Sequence, residues 1–215
     1  MTQTRRLVVM LLAGVLPVGG QADQSPKSRK GRPMSKQTAD AKEQLVRFDE
    51  TRDPAQLEAA IRGLEHVQPR PEQGQDLQAA RRDVMRLWLE VLAALQRAKD
   101  PTFDPHDLPM SSVAPPPLSN GARYPAGVDP KSIPEADVRA QYEAALAKNR
   151  EKAETYRIQS RLRFLEERAK PDVEGFIRRN YSKSDSDRAE LKALVEGAQI
   201  PPQERQRVLS IEASH

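Results

Sequence analysis

LQAARRDVMRLWLEVLAALQRA, residues 77–98, decides the fold. Leu77, Ala80, Val84, Leu87, Val91, Ala94 and Ala98 recur at alternating steps of three and four, which lines them up on one face of an α-helix. Met85, Trp88, Leu92 and Leu95 widen that stripe well beyond a narrow seam. A helix apolar over more than one face belongs at the centre of its bundle. Trp88, the only tryptophan, is expected as a core anchor.

Two further helices are expected upstream, in 38–99. The first puts Ala41, Leu45 and Phe48 on one face. The second has Asp53 as N-cap, Pro54 at the first helical position and Gln56 at the reciprocal capping position. Its apolar face is Leu57, Ala60, Ile61 and Leu64.

Downstream the character changes. Residues 101–134 hold nine of the 18 prolines, including Pro115-Pro116-Pro117. No apolar periodicity survives there, and proline makes such a stretch semi-extended. Residues 100–133 are read as a proline-rich linker, its backbone paired mostly with water. The run Ala114-Pro115-Pro116-Pro117-Leu118 reads as a stiff spacer rather than as a ligand for an aromatic groove.

A long helix follows over 134–168, with Ser132-Ile133-Pro134-Glu135 as its capping box. Its best stripe is Val138, Tyr142, Ala145, Asn149, Ala153, Tyr156, Ser160 and Phe164, rebuilt near the end by Ile158, Leu162 and Leu165. Pro171 is expected to break it. Three short helices complete the chain. One spans about 172–181 with Val173, Phe176 and Ile177 inward; one starts near Ser184 and ends at Gly197; one starts at Pro201-Pro202. The fold class is therefore all-α: an N-terminal three-helix unit (38–99), the extended segment (100–133), then a C-terminal unit (134–215) made of a long helix with a short-helix tail.

The first 36 residues are of a different kind. Arg5 and Arg6 precede an uncharged apolar run, Leu7 to Val18, and Gly20-Gln21-Ala22 offers small residues for cleavage. This is the layout of a secretory signal peptide, expected over 1–22. The run is too short to span a bilayer, and with no cysteine in the chain lipid attachment at a processed cysteine is excluded. The mature protein is expected to be exported, periplasmic or extracellular. Residues 23–37 are polar, basic and broken by Pro26, Gly31 and Pro33, and read as a flexible basic arm.

Charge is distributed unevenly. Residues 1–36 carry seven basic side chains and one acid; 37–215 carry 28 basic and 30 acidic. The sequence pI of about 9.4 thus reflects the leader and arm alone. A polyanion-binding surface, if present, belongs to Lys27, Arg29, Lys30, Arg32 and Lys36. An anionic envelope polymer or lipid is a possible partner for that arm, and specific nucleic-acid recognition is not expected.

Catalytic motifs are missing from the sequence: no nucleophile elbow, no phosphate-cradling glycine loop, no His-Glu-x-x-His. His66, His106 and His215 are far apart. Asp104, His106 and Asp107 form the one local group of metal-ligand types, and ordinary loop roles are the favoured reading. Ser182, Ser184 and Ser186 read as helix caps. Arg178, Arg179 and Tyr181 combine arginine and aromatic side chains, a mix enriched at protein interfaces. No catalytic residue, cofactor or metal is assigned. The expected role is that of an exported, non-enzymatic protein that binds another macromolecule, most simply another protein, as adaptor, scaffold or holdase-like chaperone. The alternatives are an enzyme assembled from scattered acidic residues and His106, or a polyanion-binding protein acting through the arm.

Overall fold

The computed structural model describes residues 36–69 and 76–211. The leader, most of the basic arm and His215 lie outside them. The described residues form six α-helices and no strand: α1 (Lys36–Thr51), α2 (Pro54–Leu64), α3 (Leu77–Ala98), α4 (Ala136–Asn180), α5 (Asp185–Glu196) and α6 (Pro202–Ser210).

The first two helices follow their sequence signals closely. Ala41, Leu45 and Phe48 are buried on α1, and Leu57, Ala60, Ile61 and Leu64 on α2. The α2 start is capped by the Asp53 carboxylate, which accepts from Ala55 N–H at 2.9 Å. Two residues, Arg52 and Asp53, turn the chain between the helices. Arg52 adopts φ 57°, and its N–H closes α1 onto the Phe48 carbonyl at 2.8 Å. The left-handed residue ends the helix without a glycine.

α3 is the central element. Its ten buried residues run from Val84 to Leu95, with Trp88 and Leu87 essentially inaccessible. Leu77, the first residue of the expected stripe, is 53 % exposed: it lies at the helix start, before the packed region begins.

α4 departs from expectation at both ends. The helix starts at Ala136, with Glu135 as N-cap, and Ser132 is not its cap. Ser132 instead ends a single 3-10 turn, Pro130–Ser132, where its hydroxyl donates to the Asp129 carbonyl. At the other end, Pro171 does not break the helix, which runs unbroken for 45 residues to Asn180. The reason is the burial pattern. Leu162, Leu165, Ala169, Val173, Phe176 and Ile177 form one continuous buried stripe across the proline. An interior proline costs about 3 kcal/mol. Burial of Val173, Phe176 and Ile177 returns roughly 1.5–3 kcal/mol each. Pro171 and Glu167, whose carbonyl lacks its usual donor, are both on the exposed side. The same stripe excludes Phe164, expected inward but 55 % exposed, with the Arg161 guanidinium 5.4 Å from its ring centre.

Residues 100–133 do not hang free. They return along α4 as a strap fastened at intervals. Gln159 accepts from Asp100 N–H at 2.9 Å and donates to the Ala98 carbonyl at 3.2 Å. The rings of Phe103 and Tyr156 meet at 5.7 Å. Asp107 pairs with Lys152. Asn149 bonds both the N–H and the carbonyl of Met110, at 2.9 and 3.0 Å. The Tyr142 hydroxyl donates to the Val113 carbonyl at 3.0 Å. Glu135 accepts from the Ser119 N–H and hydroxyl. Val113, Leu118 and Ile133 close a small second core against Val138 and Tyr142. Proline leaves the strap few N–H donors; Gln159 and Asn149 of α4 and its N-cap Glu135 accept from Asp100, Met110 and Ser119, and the strap's own Asp and Asn side chains accept from others.

The main core draws on α1, α2, α3, the C-terminal half of α4, α5 and α6 together. Helices of the 38–99 stretch and of the 134–215 stretch thus bury one continuous set of side chains. α5 begins at Ser184, whose hydroxyl accepts from Asp187 N–H at 3.2 Å, as read from the sequence.

Candidate functional site

The floor of the candidate site is the α3 face that its main stripe leaves over. Leu89 and Ala93 lie on that face, flanked by Arg86, Glu90 and Arg97. α1 supplies one wall with Lys42, Leu45, Val46 and Asp49; α5 and the turn after it supply the other with Ala193, Leu194, Gly197 and Ala198. Between them lies an open groove of about 580 Å³. That is within the usual range for ligand pockets. Val46 is 51 % exposed on the α1 wall, one of few large apolar side chains left so open.

The three helices run the same way. Asp49 meets Arg97 at 3.1 Å, and every groove residue on α1 and α3 precedes that contact in its own helix. Seven residues earlier in each helix stand Lys42 and Glu90, facing one another across the opening without forming an ion pair among the described residues. Arg86 lies one turn further on and reaches only Asp83, at 3.7 Å and well solvated. One end of the groove thus carries the half-exposed Asp49–Arg97 pair, and the other carries Lys42, Glu90 and the Asp83-paired Arg86.

The α5 wall is anchored at its N-terminal end. The Arg81 guanidinium bonds Asp187 at 2.5 Å, bonds Glu190, donates to the Asn180 carbonyl at 3.0 Å and lies 4.9 Å from the Tyr181 ring centre. Arg82 also bonds Glu190. Burial works to raise the Asp187 carboxyl, but the hydrogen bonds from Ser184 and Arg81 override it and hold it below its ordinary value. Burial, with Glu190 nearby, drives the Tyr181 hydroxyl well above its ordinary range.

Tyr181, expected at a partner surface with Arg178 and Arg179, is wholly buried. Its ring packs against Phe176 at 6.4 Å and under Arg81, so it joins α4 to α3 and α5. Arg178 and Arg179 are exposed, and Arg178 pairs with Glu174 on its own helix. Of the arm, Lys36 is described, exposed at the first position of α1; Lys27, Arg29, Lys30 and Arg32 lie outside the described residues. His106 is exposed, Asp104 accepts from its N–H at 2.8 Å, and Asp107 holds Lys152, so these three serve the strap's turns. Among the described residues, no group of three or more His, Asp or Glu side chains stands close enough to hold a metal ion.

Leu45 and Ala94 are groove residues that lie on recognised stripes; Val46, Leu89 and Ala93 escape the sequence reading because they lie just off them, Val46 beside Leu45 and Leu89 and Ala93 beside Trp88 and Leu92. The available signal was the excess apolar width of α3. Comparison of this chain with protein-family models, with curated proteins and with solved structures finds no match. No helix among the described residues is long and apolar enough to cross a membrane.

Proposed function

We propose that this chain is an exported, non-enzymatic helical protein that binds a partner protein, acting as an adaptor or scaffold through the groove between α1 and α5. The observation that carries the reading is the combination on one site of an apolar floor, an exposed Val46 and a rim of charges. An apolar centre with a polar edge is the anatomy of a protein interface. The frame around it supports the same reading: α3 is packed into the core along the rest of its surface, and α5 is held by the Arg81 cluster. Export rests on the leader sequence, residues 1–22.

The test is site-specific photo-crosslinking in the native host. A photoreactive residue at position 46 is expected to capture one defined protein, whereas the same group at Leu77, equally exposed but remote from the groove, is expected to capture none. The same products from both positions, or none from position 46, would overturn the reading. Intact-mass analysis of the exported protein is expected to give a chain beginning at Asp23.

A further inference from the structure

We infer that the side of α4 beneath the strap is a recognition surface for an extended, proline-containing peptide segment. Residues 100–119 fill it in cis, and such a segment of a partner protein takes it when the strap lifts. This surface is separate from the groove over α3 and does not depend on it.

Glu135, Tyr142, Asn149 and Tyr156 recur every seven residues, and Gln159 stands three further on, so all five share one face of α4. Four of them grip peptide groups. Asn149 accepts from the Met110 N–H at 2.9 Å and donates to the Met110 carbonyl at 3.0 Å. Gln159 accepts from the Asp100 N–H and donates to the Ala98 carbonyl. The Tyr142 hydroxyl donates to the Val113 carbonyl, and Glu135 accepts from the Ser119 N–H at 3.1 Å. Side chains that bond main-chain groups in a row read a backbone conformation and tolerate many sequences; pockets for apolar residues add selectivity.

The conformation read here is extended. From Asn149 to Tyr142 the helix rises about 10 Å. The strap covers that span with the three steps from Met110 to Val113, close to the reach of a fully extended chain. Val113 and Leu118 pack with Val138 and Tyr142, and Pro115 between them is buried. The ligand is thereby specified. It carries a free N–H at the Asn149 clamp, an apolar residue three positions on, then proline, and a second apolar residue five beyond the first. Proline keeps the ordering cost of such a segment low.

The strap is built to leave without unfolding the protein. Its small core, Val113, Leu118 and Ile133 with Val138 and Tyr142, is separate from the main core. No α4 residue before Ile158 packs into the main core. Units with few buried contacts open at lower free energy than the whole molecule. A resident cis segment reduces the apparent affinity of a competing one by the fraction of time the surface stands open, so the strap is an autoinhibitory contact. The strap of a second copy is the poorer occupant, because α3 and α4 of that copy hold both its ends, at Ala98 and Ala136.

The experiment uses the mature chain, residues 23–215, and a fluorescent synthetic peptide of residues 107–120, DLPMSSVAPPPLSN. Val113→Asp with Leu118→Asp lifts the strap and leaves α4 unaltered. The peptide is expected to bind this variant at least about tenfold more tightly than the wild-type chain. In the lifted variant, Asn149→Ala is expected to weaken binding about tenfold. A peptide with proline at the Met110 position lacks the clamped N–H and is expected to lose about as much. In the wild-type chain, native-state hydrogen exchange is expected to release the Met110 and Ser119 amides through a smaller opening than the Val91 and Leu92 amides, with a weaker denaturant dependence. Circular dichroism checks the fold of each variant.

No binding to a folded, lifted variant, or equal binding to both chains, would overturn the inference. Unchanged affinity in Asn149→Ala would overturn the backbone clamp. If the lifted variant does not fold, hydrogen exchange decides: strap and α3 amides exchanging together would show that the surface opens only on global unfolding, and would overturn the inference. Dimerisation of the wild-type chain that Val113→Asp with Leu118→Asp abolishes would overturn the partner in favour of a second copy.

Discussion

Arg81, on α3, ties that helix to two others. Its guanidinium meets Asp187 and Glu190 on α5, the carbonyl of Asn180 at the end of α4, and the face of Tyr181 just beyond it. Replacing it by methionine keeps the stem and removes the charge, leaving buried Asp187 and half-buried, Arg82-bound Glu190 without it. Truncating one member of such a cluster costs about 3 kcal/mol, because the remaining charges stay desolvated. The pH dependence follows from Asp187. Its folded pKa is depressed, so the stability it contributes is present above its unfolded value, near 3.9, and is lost as pH falls through the lower folded value. In the intact protein, exchange protection of Leu191 and Val195 amides is expected to drop as pH falls below about 4. In Arg81→Met the protection is expected to be lower at neutral pH and its acid dependence smaller. Superimposable acid profiles for the two proteins would mean that the cluster holds nothing in place.

At the scale of the element, α4 is the informative case. Its apolar stripe from Leu162 to Ile177 has helical spacing throughout. Tertiary burial of that stripe overrides the local preference of Pro171 to end the helix. The proline is therefore tolerated rather than needed. Pro171→Ala restores a backbone donor for the Glu167 carbonyl on the exposed side of the helix. It is expected to stabilise the protein by about 2 kcal/mol, less than the full helix-propensity difference because alanine also frees the unfolded chain. Thermal or denaturant unfolding reads this directly, and an unchanged or lower midpoint would show that the helix bends at Pro171 to fit its neighbours. The strap makes the same point from the other side. Residues 100–133 have no periodicity, and yet Val113, Leu118 and Ile133 are buried, because single apolar residues in an extended chain can meet a helix face without any repeat.

At the scale of the molecule, the strap and the shared core predict how the protein comes apart. Gly121 and Gly127 take positive φ in exposed turns, and Arg123 lies between them on the surface. Brief trypsin treatment is expected to cut after Arg123. The two fragments are expected to stay together on size exclusion, since α1–α3 and α4–α6 contribute to one core. Cutting within 113–118 first would show that the strap is not seated on α4. Fragments that separate and each remain helical would show two independent cores.

Local patterning is enough to place the helices and most of their inward faces. Period and capping chemistry are local, so Asp53, Ser184, the stripes of α1 and α2 and that of α3 beyond Leu77 are legible along the chain. Where two local signals compete, long-range packing settles the outcome. Pro171 against the Leu162–Ile177 stripe was settled by burial, and Tyr181 was drawn inward by Arg81, a residue 100 positions away. Most of the groove belongs to that second class. Val46, the Leu89–Ala93 pair and Ala198 come from three separate stretches of the chain, and they become one surface only because α1 and α5 stop short of meeting over α3.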